Sequence, residues 1–297
     1  MNLFKTIEKA ISSFADFMWS APFLTLGTVE IPFLLFLLLG GGVFFSIYSR
    51  FVPFKYFSHG IKILMGKYND PNDPGDITHF QALTSALAST VGLGNISGVA
   101  IAIQMGGPGA LFWMWVSALL GMSTKFFSCT LSILYRGKDD QGKIQGGPMY
   151  YIENGLGKRF KPLSILFSLA GLIGCTVMFQ SNQLADIIRD QVFLPNNMFV
   201  ENALIGDFLQ GLIMATLTGI VIFGGIQRIG QVASYLVPIM VVLYLLSGLL
   251  VIFNHITEIP SLFALIVNDA FTGDAVMGGA VGAVIIAGVR RALFSNE

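Results

Sequence analysis

The sequence predicts an all-α, polytopic membrane helical bundle. Three observations predict it. Hydrophobic residues make up 54% of the 297 and charged residues 11%, against about 25% charged in ordinary soluble domains. Mean hydropathy is +0.72, and several apolar runs approach the roughly 20 residues that cross a hydrocarbon core. Finally, Lys and Arg gather in alternate inter-helix loops, the pattern set by positive-inside insertion. Residues 1–297 are read as one transmembrane domain.

The same composition excludes other classes. Seventeen basic and 17 acidic residues give a net charge of zero, so nothing points to nucleic acid. Cys129 and Cys175 lie in apolar runs and read as free thiols. His59, His79 and His255 are isolated, so no metal site is expected. No nucleophile–base or carboxylate–metal cluster stands at membrane depth, which argues against an enzyme. No cofactor is called for.

The elements follow in order. Residues 2–18 mix Lys5, Glu8, Lys9 and Asp16 with Phe4, Ile7, Ile11, Phe14 and Met18. That spacing gives a short amphipathic helix lying in the interface. The first membrane helix covers about 31–49. An interrupted helix covers about 80–105 and is ended by GGPG at 106–109. The third helix runs about 110–135, the fourth 162–188, the fifth 208–225 and the sixth 231–253, where Pro238 predicts a kink. A seventh segment covers about 275–294.

Orientation comes from the loops. Arg50, Lys55, Lys62 and Lys67 follow the first helix; Arg136, Lys138, Lys143, Lys158, Arg159 and Lys161 follow the third; Arg228 follows the fifth. The linkers 190–206 and 254–274 hold no Lys or Arg but carry Asp190, Glu201, Glu258, Asp269 and Asp274. The first set is expected in the cytoplasm, and the N-terminus outside.

The stretch STVGLGNISGVA, Ser89 to Ala100, breaks the second helix. Unpaired backbone groups are costly in lipid, so such a break persists only where it packs in protein or lines a cavity. In transporters, freed carbonyls and half-helix C-termini hold cations, and half-helix N-termini face a substrate carboxylate. Gly92, Gly94 and Gly98 let the backbone leave helical angles. Asn95 offers an amide oxygen suited to a hard cation, and Ser89, Thr90 and Ser97 add hydroxyls. The competing reading is helix packing, since Gly94 and Gly98 form a GxxxG pair.

On the fourth helix, Gln180 and Gln183 share a face, and Asn182 and Asp186 share a neighbouring one. They face a bundle interior or hydrogen-bond between helices; Asp186 and Arg189 read as solvated at the outer end. Lys125 lies roughly 16 Å along its helix from Arg136, with no carboxylate three or four residues away. It reads as a snorkelling side chain or an internal charge. In the loop 136–161, GGPMYYIENGLG predicts a short helix around Met149 to Ile152 with a glycine stop.

TVGLGNISGVA, GGPGALFWMW, QGGPMYYIENGLG and LFSNE together resemble the alanine or glycine:cation symporter family over nearly the whole chain. The resemblance implies a LeuT-like inverted-repeat fold (the amino acid–polyamine–organocation type): an extra helix 31–49, a first repeat about 80–253 and the start of a second about 275–297. It also implies that the chain, ending within LFSNE, is truncated after about seven membrane segments. The candidate cation ligands are Thr90, Val91 and Asn95. The candidate substrate-binding residues are Gly92, Gly94, Gln180, Phe294, Ser295 and Asn296, with Phe179 and Phe294 as aromatic closures. Two positions depart from the family: Ser128 stands where it carries a glutamate three residues after the lysine, and Leu93 where a threonine is common.

The resemblance implies sodium-coupled symport of a small neutral amino acid, alanine or glycine, by alternating access across the plasma membrane (the inner membrane in a Gram-negative cell). The partners implied are that amino acid, the sodium ion, the bilayer and the remainder of the transporter chain. The alternatives are an inactive fragment of such a symporter and a channel-like membrane protein. A channel would favour repeated pore-lining charge or a filter loop, and neither is visible.

Overall fold

The computed structural model describes residues 6, 8–9, 11–14, 17–18, 22–26, 29–70, 75–139, 141–174, 178–199 and 202–272. The expected seventh segment, 275–294, lies outside them. The chain divides into two units, Met1–His59, Leu93–Ser128 and Tyr244–Glu297 in one, Gly60–Gly92 and Cys129–Leu243 in the other.

In the first unit, the described residues between Thr6 and Met18 are helical and mostly exposed, Ile11, Phe14 and Phe17 included. The hairpin β1 (Pro22–Leu26) and β2 (Val29–Pro32) follows. The helix expected over 31–49, α1, is therefore Phe33–Tyr48, an apolar helix of 16 residues. Pro32, with no N–H to donate, sits at its start in extended geometry. Two helices in the segment read as a loop come next, α2 (Val52–Lys55) and α3 (Phe57–Leu64); α3 runs on into the second unit. After α5 (Leu93–Gly106) comes the long α6 (Gly109–Leu134), which enters the second unit after Ser128.

α1 packs on α6 through small residues. A Cβ on Gly42 would lie 3.0 Å from the Leu120 Cβ, so the glycine permits the approach. One turn on, the buried Ser46 hydroxyl bonds the Gly42 carbonyl at 2.7 Å and the buried Ser123 hydroxyl at 2.9 Å. Phe45 meets Phe127 beyond it, centroids 4.9 Å apart. Polar pairs of this kind join helices where water is absent.

The linker 254–274 is not a loop. It holds α12 (Ile259–Thr272), whose C-terminal turn packs on the first turn of α6. Asp269, read as an acidic linker residue, is 8% exposed. Phe271 meets both Phe112 and Trp113.

In the second unit, α4 (His79–Thr90) opens with a reciprocal cap: Thr78 Oγ1 accepts the Gln81 N–H, and Gln81 Oε1 accepts the Thr78 N–H. After α6 ends, the two-residue strands β3 (Gly137–Lys138) and β4 (Ile144–Gln145) pair, and α7 (Pro148–Leu156) follows. That helix, expected from the sequence, is bounded by Gly147 and Gly157 at φ 128° and 96°. Its Asn154 amide donates to the Tyr135 carbonyl at 3.2 Å, and its Met149 carbonyl accepts from Ser164 at 3.0 Å, so the segment folds back on its neighbours.

The expected fourth helix, 162–188, is described as α8 (Lys161–Gly174) and α9 (Met178–Ile188), with a π-helical turn through Phe193; residues 175–177 lie outside the described ones. The fifth, α10, is Ala203–Ile222 and starts earlier than the expected 208. Asp207 is tolerated in its second turn because Arg189 pairs with it. The sixth, α11, is Gly225–Asn254, with Pro238 inside; from Tyr244 on it belongs to the first unit. Three described helices are long and apolar enough to cross a membrane, and a fourth span is counted if α4 and α5 form one broken crossing.

Candidate substrate and cation site

The interruption in the second helix is real and two residues long. α4 ends at Thr90, and Val91 takes extended angles, φ −78° and ψ 106°. Its N–H still closes the last turn on the Leu87 carbonyl at 2.8 Å. α5 begins at Leu93. A helix end leaves its last four carbonyls without intrahelical partners. Here the hydroxyls of Ser89 and Thr90 both turn back to the Ala86 carbonyl, at 2.8 and 2.9 Å. A hydroxyl that donates its hydrogen keeps its oxygen lone pairs for another partner. The last turn of α4 therefore presents acceptor oxygens, the chemistry that suits a hard cation.

Gly92 is half-buried, and a Cβ built there meets nothing within 4 Å. No neighbour among the described residues forces a glycine at this position; the glycine leaves room beside the backbone. Asn95 is half-buried in the first turn of α5. Gly94 lies in the same turn. On that helix the packing alternative is realised one step along, where Gly98, Ala102 and Gly106 are buried at intervals of four. Ala102, flanked by Val99, packs on Met114 of α6.

Gln180 sits near the start of α9, exposed and with no hydrogen bond among the described residues. Gln183 is half-buried. Asn182 donates to Asp186 at 3.2 Å, one turn on. Asp186 and Arg189 are not simply solvated. Arg189 lies 3.8 Å from Asp186 and forks onto Asp207, with Nε on Oδ1 at 3.1 Å and Nη2 on Oδ2. This pair lines a groove of about 780 Å³ between α9 and α10, together with Ala185, Gly211, Ala215 and Gly219. Sequence reasoning missed the partner because the two residues are 18 apart on different helices; no local spacing could have found it.

Phe294, Ser295 and Asn296 lie outside the described residues, as does the Phe179 side chain. Lys125 is exposed on α6, no carboxylate pairs with it among the described residues, and the Ser128 hydroxyl caps its carbonyl at 3.0 Å. No cluster of three or more His, Cys, Asp or Glu able to hold a metal exists among the described residues.

The sequence profile of the sodium:alanine symporter family matches residues 6–297. An uncharacterized transporter of Haemophilus influenzae is 39% identical over 300 residues, covering 98% of this chain and 60% of its own. The sodium/alanine symporter AgcS of Methanococcus maripaludis is 40% identical over 271 residues, 90% of this chain and 57% of its own. The probable sodium/glutamine symporter GlnT of Bacillus subtilis is 37% identical over 292 residues, 98% and 56%. The chain thus spans between half and two thirds of the length of these relatives.

Proposed function

The chain belongs to the sodium:alanine symporter family, and from that premise we propose that the whole protein carries alanine or glycine across the plasma membrane together with sodium. The observation that carries the reading is the break at Val91 and Gly92. An apolar helix stops there, its last turn offers oxygens, and no described residue lies within 4 Å of a Cβ built on Gly92.

The sodium ion binds oxygens of Thr90, Val91 and Asn95, the second through its carbonyl. The amino acid lies against the Gly92 and Gly94 backbone, its polar groups meeting Gln180, Ser295 and Asn296, with Phe294 closing the pocket. Freed carbonyls favour the cation, and the positive N-terminal end of a half-helix favours the carboxylate. The fold is of the LeuT type, with a first repeat over about 80–253 and a second opening at about 275–297. Each ligand raises the other's affinity by the same factor, as linkage requires. The inward sodium gradient then drives alternating access with no chemistry on the substrate.

The test is uptake of labelled alanine by the whole protein in liposomes, with sodium outside or replaced by choline. Glycine and glutamine compete in separate arms, since one relative is named for glutamine. Saturable, sodium-dependent alanine uptake displaced by glycine is expected. Non-saturable flux would indicate a channel. Displacement by glutamine but not glycine would reassign the cargo.

A further inference from the structure

The segment after α1, a charged loop by its sequence, is helical in the structure. Arg50 and Phe51 both take left-handed angles, φ 54° and 60°, a conformation that side chains of L-residues rarely adopt in succession. The chain thus turns sharply out of α1 and enters α2 and α3 at once. Neither helix buries a single residue. At four and eight residues, neither spans a bilayer.

The two short helices are two-sided. Within α3, at 100° per residue, Phe57 and Ile61 fall on one face and His59 and Lys62 on another; α2 just before it carries Phe54 and Lys55, and Met65 follows its last residue. The apolar face is bare: Phe57 is 67% exposed and Met65 80%. Charge is one-signed. From 50 to 69 the chain carries Arg50, Lys55, Lys62 and Lys67 and no Asp or Glu, within a protein whose charges balance overall.

A short helix with one apolar face and one basic face, placed directly after a membrane helix, has the chemistry of an interfacial element. Basic residues at that level are drawn to anionic lipid. We propose that α2 and α3 form a docking surface for anionic phospholipid. Phe57, Ile61 and Met65 enter the acyl region, and Lys55 and Lys62 hold headgroup phosphates. The proposal rests on the membrane placement of the chain and not on its cargo.

The test uses the whole protein in nanodiscs of phosphatidylcholine, with and without phosphatidylglycerol. Hydrogen exchange over 54–65 and the phosphatidylglycerol retained after detergent extraction are measured; neither requires transport, so failure here and failure of the symport reading are separable. Slower exchange in the anionic discs is expected, and high salt should weaken the effect. The double variant Lys55→Gln, Lys62→Gln should lower retention by about fivefold per lysine. Lys55→Arg, Lys62→Arg should retain the lipid, which separates charge from misfolding. Ile61→Ser should speed exchange in both kinds of disc. Equal exchange in the two discs would overturn the proposal. So would unchanged retention in the glutamine variant, or full protection by inorganic phosphate or an acidic peptide on detergent-solubilised protein.

Discussion

The Asp269 carboxylate accepts the Gly109 N–H at 2.7 Å, joining residues 160 apart in sequence. Gly109 begins α6, so a buried carboxylate from α12, far from it in sequence, caps that helix. Trp113 Nε1 donates to the next carbonyl, Ala270, at 3.1 Å. Both glycines at this corner are sterically required. A Cβ on Gly109 would collide with the Ala270 backbone, and one on Gly107 would lie 2.6 Å from Asp269 Oδ2. Gly107 also has φ +76°.

Replacing Asp269 by Ala should destabilise the protein by about 1–3 kcal/mol, because a buried donor loses its acceptor. Asp269→Asn keeps an acceptor but loses the charge at the positive end of α6, and should cost about 0.3–1 kcal/mol. Gly107→Ala should cost at least about 1–2 kcal/mol from its left-handed angle alone. Thermal unfolding in detergent, followed by tryptophan emission, ranks the three. A melting temperature unchanged in Asp269→Ala would mean the cap contributes nothing.

This corner shows where the sequence was legible and where it was not. The glycine turn at 106–109 was readable, because Gly and Pro punctuate locally. So was α7, whose ends are fixed by Gly147 and Gly157. The break at 91–92 was readable because polar and small residues interrupt an apolar run. Helix α12 was not, since Asp269 looks like a solvated linker charge until Gly109 is known to meet it. The early start of α10 was hidden in the same way by Asp207, whose partner lies on another helix. Of the candidate site, the helix break falls at Val91 and Gly92, inside the polar stretch 89–100. Gln180 is exposed with no hydrogen bond among the described residues, and 294–296 lie outside those residues.

Arg189 and Asp207 should be coupled. Losing either leaves the other charge beside a membrane helix without its fork, so Arg189→Ala and Asp207→Ala should each lower the melting temperature. The double variant should lose less than the sum of the two, the signature of a direct interaction. Additive losses would show that the pair does not act as a unit. At this exposure the effect should shrink in high salt.

The hairpin turn at Asp139 should loosen in acid. Asp139 accepts Gln145 Nε2 at 3.1 Å and the N–H groups of Lys143 and Gln141 at 2.8 and 3.0 Å. The Gln145 amide, first, and these backbone donors hold its carboxyl below the usual 3.8. A carboxyl depressed in the folded state stabilises above its unfolded value and loses that contribution as pH falls through the folded one. Hydrogen exchange over 137–146, corrected for intrinsic rates, should therefore stay slow above about pH 4 and quicken below the usual carboxyl range. Asp139→Asn should abolish that dependence; if the variant keeps the same acid transition, another group controls the turn.

Asn95 and Gln180 should separate cation from cargo. Removing one oxygen from a cation costs about 1.5–3 kcal/mol, the range for hydrogen bonds to charged groups. Asn95→Ala should therefore raise the sodium concentration for half-maximal uptake by roughly 10- to 100-fold. Gln180→Leu is close in size but has no amide, and losing one neutral hydrogen bond should raise the alanine concentration by about 3- to 10-fold. Linkage makes each change appear partly in the other ligand, so the full matrix of sodium against alanine is needed. The direct effect is the shift that persists when the other ligand saturates. Gln180 is exposed with no hydrogen bond among the described residues, so its loss should leave the melting temperature without ligands unchanged. Asn95 is half-buried in the first turn of α5, and its removal should lower that temperature slightly. An Asn95→Ala protein with normal sodium dependence would remove this residue from the cation site. Full alanine-dependent stabilisation in Gln180→Leu would place the cargo elsewhere.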